Sequence, residues 1–403
     1  MTLSALERTY ARELPRKAAV VVVAALIGVM FAGSTLLTPL YIIYKQRFGF
    51  SGITLTLIYA VYVVGNLAAL LVFGRLSDQI GRRRAALPAL AVAILSTLIF
   101  LLADGTAALY WARMLSGLGV GVAAGTAMAW LAELVGGDDK ARATMIATAT
   151  NFLGLGLGPL ASGLLAQFAP WPLHLSFVVY LAVVVAFVVL IWHTPETVTH
   201  RLRGWRNVSL APRVGVPRKI RVPFVAPAVT GFGSMALIGF FAALAPSVLA
   251  QELHYASHAA AGALVFELTA ISAIAIVATH RLSSRAAMLW ALALMIPSVA
   301  LLVAAQFLVS LAVMIAATAV CALSAGLGYR GGLQVVNRIA PEDRRAEVVS
   351  SFFVCCFVGN ALPVIGVGVV SAYSSLPLAS STFAAMIALF ALVALVFGAR
   401  HAG

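Results

Sequence analysis

The amino-acid sequence predicts an all-α polytopic membrane protein, with twelve transmembrane helices in two pseudo-symmetric six-helix bundles. Three observations lead there. Hydrophobic residues make up 62% and charged residues 10% of the 403 residues, and mean hydropathy is +1.03; a soluble globule is nearer half apolar and a quarter charged. The few charges sit in gaps between long apolar runs. One arrangement of acids, bases and a proline recurs at matching places in the two halves.

A helix needs about 20 apolar residues to cross a bilayer, and twelve runs qualify. The first, 18–44, stops at Lys45 and Arg47, and the second, 53–74, runs into a charged loop. The third and fourth are 85–103 and 107–131, and the fifth, 143–167, opens after Asp138-Asp139-Lys140. The sixth, 172–192, precedes the only long connection, 193–222, rich in Arg and Pro. The remaining runs are 223–250, 259–280, 286–305, 308–329, 346–371 and 377–399. Backbone polar groups in lipid must be satisfied within the spanning structure, and the alternation of a barrel is missing, so these are helices. The chain thus divides into an N-terminal bundle (1–192), a basic linker (193–222) and a C-terminal bundle (223–403). The linker reads as a solvated tether, with an anionic-lipid or regulatory site as the alternative.

The repeat supports this division. Asp138-Asp139-Lys140-Ala141-Arg142 introduces the fifth run, and Glu342-Asp343-Arg344-Arg345 introduces the eleventh. A proline follows 20 residues after the second acid in each case, Pro159 and Pro363. Parallel six-span repeats are a transporter plan.

The formal net charge of +14 does not imply nucleic acid, because the bases lie between apolar runs and not along one face. They are topology determinants. With the N-terminus inside, Arg8, Arg12, Arg16, Arg75, Arg82 to Arg84, Lys140, the linker arginines and Arg338 to Arg345 are cytoplasmic, and only Lys45 and Arg47 are outside. Both termini are then cytoplasmic, and no cleavable leader is expected. Cys321, Cys355 and Cys356 lie in apolar segments without disulfide or metal-ligand spacing. No metal or cofactor is expected. The seven histidines are scattered, no catalytic grouping is evident, and no phosphate-binding Gly-Lys-Ser/Thr loop exists. A polytopic enzyme is the disfavoured alternative class.

The most informative stretch is Gly74-Arg-Leu-Ser-Asp78-Gln-Ile-Gly81-Arg82-Arg83-Arg84. Gly74 and Gly81 permit a tight reversal, Asp78 suits a helix N-terminus, and the arginines anchor the third helix at the phospholipid surface. A plain positive-inside loop fits the same composition. The order Gly-x-Leu-x-Asp-x-x-Gly-Arg-Arg, however, resembles the loop between spans two and three of the major facilitator superfamily. The loop departs from that signature at Gln79, and its counterpart, His280-Arg-Leu-Ser-Ser-Arg285, is degenerate. The resemblance implies a conformational latch in which Asp78 engages the start of the eleventh span near Arg345 to Val348 in the outward-facing state. Glu133, at the end of the fourth span, is the expected partner of Arg82. Arg113-x-x-x-Gly117-x-Gly119 resembles the family's fourth-span motif, whose Arg is associated with proton coupling; burial beside a packing partner is the structural alternative. Gly117, Gly121 and Gly125 form a packing column. The fifth span carries Gly154, Gly156, Gly158, Pro159 and Gly163, a partial match to the antiporter motif Gly-Pro-x-x-Gly-Gly with Ser162 in place of one Gly. It directs the reading to the twelve-span drug/proton antiporters.

Glu267, mid-way along the eighth span, has no base within a helical turn. A lone carboxylate in a low dielectric suits a proton carrier; a permanently neutral carboxyl bonded to a neighbouring helix is the alternative. Candidates for a binding pocket are Phe31, Tyr59, Tyr62, Asn66, Trp130, Asn151, Phe240, Phe241, Phe266, Phe353 and Asn360, as aromatics with few polar groups suit an amphipathic ligand. Each also fits plain packing. The resulting expectation is a monomeric secondary transporter of the bacterial inner membrane, exchanging protons for a small organic or drug-like compound, with uptake by symport or uniport as the alternative.

Overall fold

A computed structural model of the chain describes residues 13–136, 140–199 and 214–401. Arg8, Arg12, Asp138, Asp139 and linker residues 200–213 lie outside the described residues. Twelve helices among the described residues are long and apolar enough to cross a membrane, and no strand occurs among them. They are α1 (Arg16–Thr35), α2 (Gly52–Phe73), α3 (Arg82–Leu101), α4 (Thr106–Val135), α5 (Lys140–Phe168), α6 (Leu175–Trp192), α7 (Arg221–Gln251), α8 (His258–Ala278), α9 (Ser284–Phe307), α10 (Leu311–Ile339), α11 (Arg345–Tyr373) and α12 (Leu376–His401). The spans read from sequence are all present, with shifted ends.

Two shifts have clear causes. The first span is interrupted: a 3-10 turn at Thr38–Leu40 separates α1 from a further helix, Tyr41–Phe48. Pro39 has no N–H to donate, so the α-helical ladder cannot continue there. The tenth span, expected to end at 329, runs helically to Ile339. Arg330 does not end it, because its side chain is satisfied by backbone carbonyls of the connection after α8. Serines cap the starts of α2, α8, α9 and α10, each accepting a backbone N–H from three residues on.

The helices alternate in direction. One end of the molecule bears Arg82 to Arg84, Arg218, Lys219, Arg344 and Arg345, and is the basic end; the far end carries Lys45 and Arg47. Two seams join the first six helices to the last six: α5 on α8, and α2 on α11.

The far end is packed shut. Every α7 residue from Ala236 to Leu249 is buried. Thr35 Oγ1 of α1 donates to the Leu155 carbonyl of α5 at 2.9 Å. Gln167 Oε1, at the end of α5, accepts from Ser257 Oγ (2.7 Å) and the Ala259 N–H (2.9 Å) at the start of α8. Backbones meet directly at glycines: a Cβ on Gly262 of α8 would lie 2.2 Å from the Pro159 carbonyl oxygen, and one on Gly163 of α5 2.4 Å from that of His258.

Described residues near both ends of the linker contact the helices. Glu196 accepts from the Arg82 and Arg83 N–H groups at 2.8 and 3.2 Å, so its carboxylate covers the positive N-terminus of α3. The Gly215 N–H donates to Ser351 Oγ of α11 at 3.0 Å.

Candidate functional site

A cavity of about 230 Å³ lies between the two sets of six helices, walled by α1, α2, α4, α5, α7, α10 and α11. Seven residues expected there from the sequence line it: Phe31, Tyr59, Tyr62, Asn66, Asn151, Phe353 and Asn360. Their positions follow from helix contacts. Asn66 Nδ2 donates to Tyr62 Oη, one turn earlier on α2, at 3.0 Å. Tyr59 Oη donates to Asn360 Oδ1 of α11 at 2.9 Å, and Asn360 Nδ2 donates to the Met235 carbonyl of α7 at 3.2 Å. The α2–α11 seam is therefore built from the cavity's own polar residues.

Four expected residues are elsewhere. Phe240 and Phe241 are fully buried in the far-end plug, with Phe240 against Phe383 of α12 at 5.0 Å between ring centroids. The segment is apolar on every side, so it is enclosed on every side. Trp130 is fully buried at the basic end of α4, where its indole N–H donates to the Pro195 carbonyl at 3.0 Å. Phe266 packs on Gly156 in the α5–α8 seam.

Among the described residues Arg113 is the only charged side chain on the cavity wall, and it is 2% exposed. Its Nη1 donates to the Ser34 carbonyl of α1 at 2.5 Å, and its Nη2 to the Tyr59 carbonyl of α2 at 3.4 Å. The guanidinium also lies 4.8 Å from the Tyr62 ring centroid and 5.6 Å from that of Tyr59, within cation–π range. Nε–H has no acceptor among the described residues. Gly117 and Gly121 set α4 this close to α2: a Cβ on Gly117 would be 2.0 Å from the Tyr62 carbonyl oxygen. Gly125 meets nothing and faces the cavity, so the column packs over two of its three members.

In α5, Gly154 and Gly158 face the α1 backbone at Gly28 and Ala32, while Gly156 and Gly163 face α8. The glycine-rich motif thus lets one helix touch neighbours from both halves. Glu267 lines neither cavity and, among the described residues, forms no hydrogen bond or ion pair. It is partly buried, on the outer arc of α8 shared by Ala263 and Ile274, one residue beyond the seam residue Phe266.

At the basic end, the short helix Leu76–Ile80 turns into α3 at Gly81, whose φ of +109° and ψ of 150° suit glycine alone. Gly74 ends α2 in ordinary helical geometry, with φ −58° and ψ −18°. Arg82 is the hub. Its Nε and Nη2 grip both oxygens of Glu133 at 3.1 and 2.5 Å, and its Nη1 reaches Asp78 at 2.5 Å and Ser77 at 2.7 Å. Thr197 Oγ1 also donates to Glu133. Arg83 donates to the Trp192 carbonyl at 3.0 Å. Asp78 is paired with Arg82, and its side chain is 58% exposed.

The second half solves the same problem differently. Arg330 on α10 donates to Thr279 O and Oγ1, and to the carbonyls of His280 and Leu282. A cation at a helix C-terminus complements its partial negative charge. In the first half an acid on the fourth helix holds an arginine; in the second an arginine on the tenth holds bare carbonyls. Backbone acceptors leave no sequence motif, so this contact is invisible in the degenerate loop.

A second cleft, of about 700 Å³, lies at the basic end between α5, α8 and α10. The molecule is therefore sealed at the far end and hollow toward the basic end.

The model of the Major Facilitator Superfamily matches residues 23–364. The chain belongs to this superfamily. It is a multi-pass membrane protein of a transporter superfamily. Over 95% of both chains, this superfamily member superposes with TM-score 0.67 on a bacterial homologue of the human lysosomal transporter Spinster in an inward-facing, unoccupied conformation, at 16% identity. It matches the human organic anion transporter MFSD10 (TETRAN) with TM-score 0.64 and 18% identity, over 95% of this chain and all of the other. At these identities the likeness is one of fold. Among curated proteins, the Cephamycin export protein CmcT of Amycolatopsis lactamdurans is 34% identical over 128 residues, 32% of this chain and 26% of that protein. Multidrug resistance protein MdtL of Escherichia coli is 30% identical over 115 residues, 28% and 29% of the two chains. Multidrug resistance protein 2 of Bacillus subtilis is 27% identical over 142 residues, 35% and 36%. The chain spans about a quarter to a third of the length of these relatives.

Proposed function

We propose that this transporter exports a small amphipathic organic compound in exchange for protons, by alternating access between two six-helix bundles. The observation that carries it is the one-sided central cavity, closed at the far end by the α5–α8 and α7 contacts and approached from the basic end. Positive charge marks the cytoplasmic side, so the cavity faces the cytoplasm and both ends of the chain lie there, in a bacterial inner membrane. Export is supported by the glycine-proline motif at the α5–α8 seam, and by relatives named for cephamycin export and multidrug resistance.

Glu267 is the proposed proton carrier, and Arg113 the charge that senses the substrate. Glu267 is the mid-span carboxylate, and it adjoins Phe266 in a seam that must part when the far end opens, so its surroundings change with each half-cycle. In proteoliposomes with an imposed pH gradient, wild type is expected to move substrate against proton flow. Glu267→Gln should keep downhill flux and lose the gradient-driven component. Unaltered gradient-driven flux in the variant removes Glu267 from the mechanism; substrate moving with the protons reverses the proposed direction.

The Asp78–Arg82–Glu133 group is the proposed gate, with Asp78 released from α11 in this state. Asp78→Asn is expected to lower turnover a few-fold with substrate affinity unchanged. Measured kcat and KM decide it: weakened affinity at normal turnover ends the latch assignment.

A further inference from the structure

The basic-end cleft and the central cavity share one residue, Tyr329 of α10, which lines both. Its ring meets Phe152 of α5 edge-on, with centroids 5.6 Å apart. The two spaces thus meet at an aromatic neck, with an outer vestibule on one side and an inner chamber on the other. The charges along it share a sign. Arg142 and Arg330 line the vestibule, Arg113 lines the chamber, and among the described residues no carboxylate lines either.

Arg113 is buried among two carbonyls and two tyrosine rings, and none of its contacts is a counter-ion. A buried cation without an anion is costly, and apolar walls strengthen its field by excluding water. Two buried polar atoms of this chamber also lack partners among the described residues, Nε of Arg113 and Oδ1 of Asn151. The wall around them is aromatic and aliphatic, including Phe31, Phe353 and Phe357.

From this geometry we infer that the transported compound is an amphipathic organic anion. Its acidic group supplies the counter-ion that Arg113 lacks, and its apolar body rests on the aromatic wall. The vestibule cations draw it in from the basic end and disfavour lipophilic cations. The inference rests on the export reading above and specifies the substrate class of the same site.

A pair of xanthene dyes with similar ring systems and opposite charge, fluorescein and rhodamine 6G, tests it. Binding is read by fluorescence anisotropy on the full-length protein in nanodiscs, and flux in proteoliposomes. Wild type is expected to prefer the anion by about tenfold or more, since a like charge facing a buried cation is strongly disfavoured. Asn151→Asp, nearly isosteric, places an anion in the chamber and should reduce that preference by about the same factor. A preference for rhodamine 6G overturns the inference and leaves export standing. Fluorescein bound but not moved keeps the anion site and overturns export. Neither dye bound nor moved overturns both. An unchanged preference in a folded Asn151→Asp protein removes the chamber as the selecting element; if that variant does not fold, the wild-type preference alone decides.

Discussion

Replacing Arg113 with Gln is expected to reduce transport about 100-fold while leaving the fold intact. The side chain joins three helices: it rises from α4, donates to the α1 carbonyl of Ser34, and lies over Tyr59 and Tyr62 of α2. Each hydrogen bond to a charged group contributes about 1.5–3 kcal/mol, which argues for lost stability. Against that, a buried cation without a counter-ion carries a desolvation cost of several kcal/mol, which Gln removes. The two terms oppose each other, so the melting temperature should move little. Function has no such offset. Loss of one charge-assisted contact to an anionic ligand, about 2–3 kcal/mol, is a factor of roughly 30–150 in affinity. Arg113→Lys keeps the charge but lacks the planar fork that spans Ser34 and Tyr59, so it should recover only part of the activity. Initial rates and thermal unfolding of the three proteins separate the cases. Normal transport by Arg113→Gln makes the residue a packing element; a collapsed melting temperature makes it a structural clamp.

The features that were legible in the sequence are those in which composition breaks sharply. A cluster of Asp and Arg between apolar runs can only be a surface loop, and the Arg82–Glu133 contact follows because both residues sit at helix ends on the same side. An isolated arginine in an apolar span is equally conspicuous, and Arg113 does reach the cavity. Sequence fails where chemistry is uniform. The α7 segment around Phe240 and Phe241 is apolar all round, so no periodicity tells which face meets a cavity, and here none does. Trp130 resembles a pocket aromatic until the Pro195 carbonyl is seen to accept its N–H. Arg330 reads as one more loop cation, because its acceptors are main-chain oxygens that any residues would provide. Glu267 was conspicuous as a charge, but only the helix register places it on the outer arc of α8. Seams, in contrast, were visible as small residues without their partners: the α5 glycines announce close approach, and the structure supplies α1 and α8.

Those seams give the second large effect. Gly262→Leu is expected to shift the protein away from the far-end-closed state. Even the first added carbon would lie 2.2 Å from the Pro159 carbonyl oxygen, 2.8 Å from its carbon and 3.1 Å from Leu160 Cα. These are backbone atoms, so no rotamer change relieves the clash, and α5 and α8 must separate. Overpacking of this kind costs about 1–3 kcal/mol. The proposed cycle has the seam part when the far end opens, so the cost falls on one state alone, and only a differential cost moves an equilibrium. The population ratio should change by roughly 5- to 150-fold. Spin labels at the exposed far-end positions Phe168 and Tyr255, in a background lacking the native cysteines, report the separation directly. Gly366→Ala is the control, since a Cβ there meets nothing within 4 Å, and it should leave the distance distribution unchanged. Transport by Gly262→Leu should fall because return to the far-end-closed state becomes uphill, with the central cavity itself untouched. An unshifted distance distribution in Gly262→Leu would mean that α5 and α8 stay together through the cycle, and the opening of the far end would then have to be assigned to the α2–α11 seam.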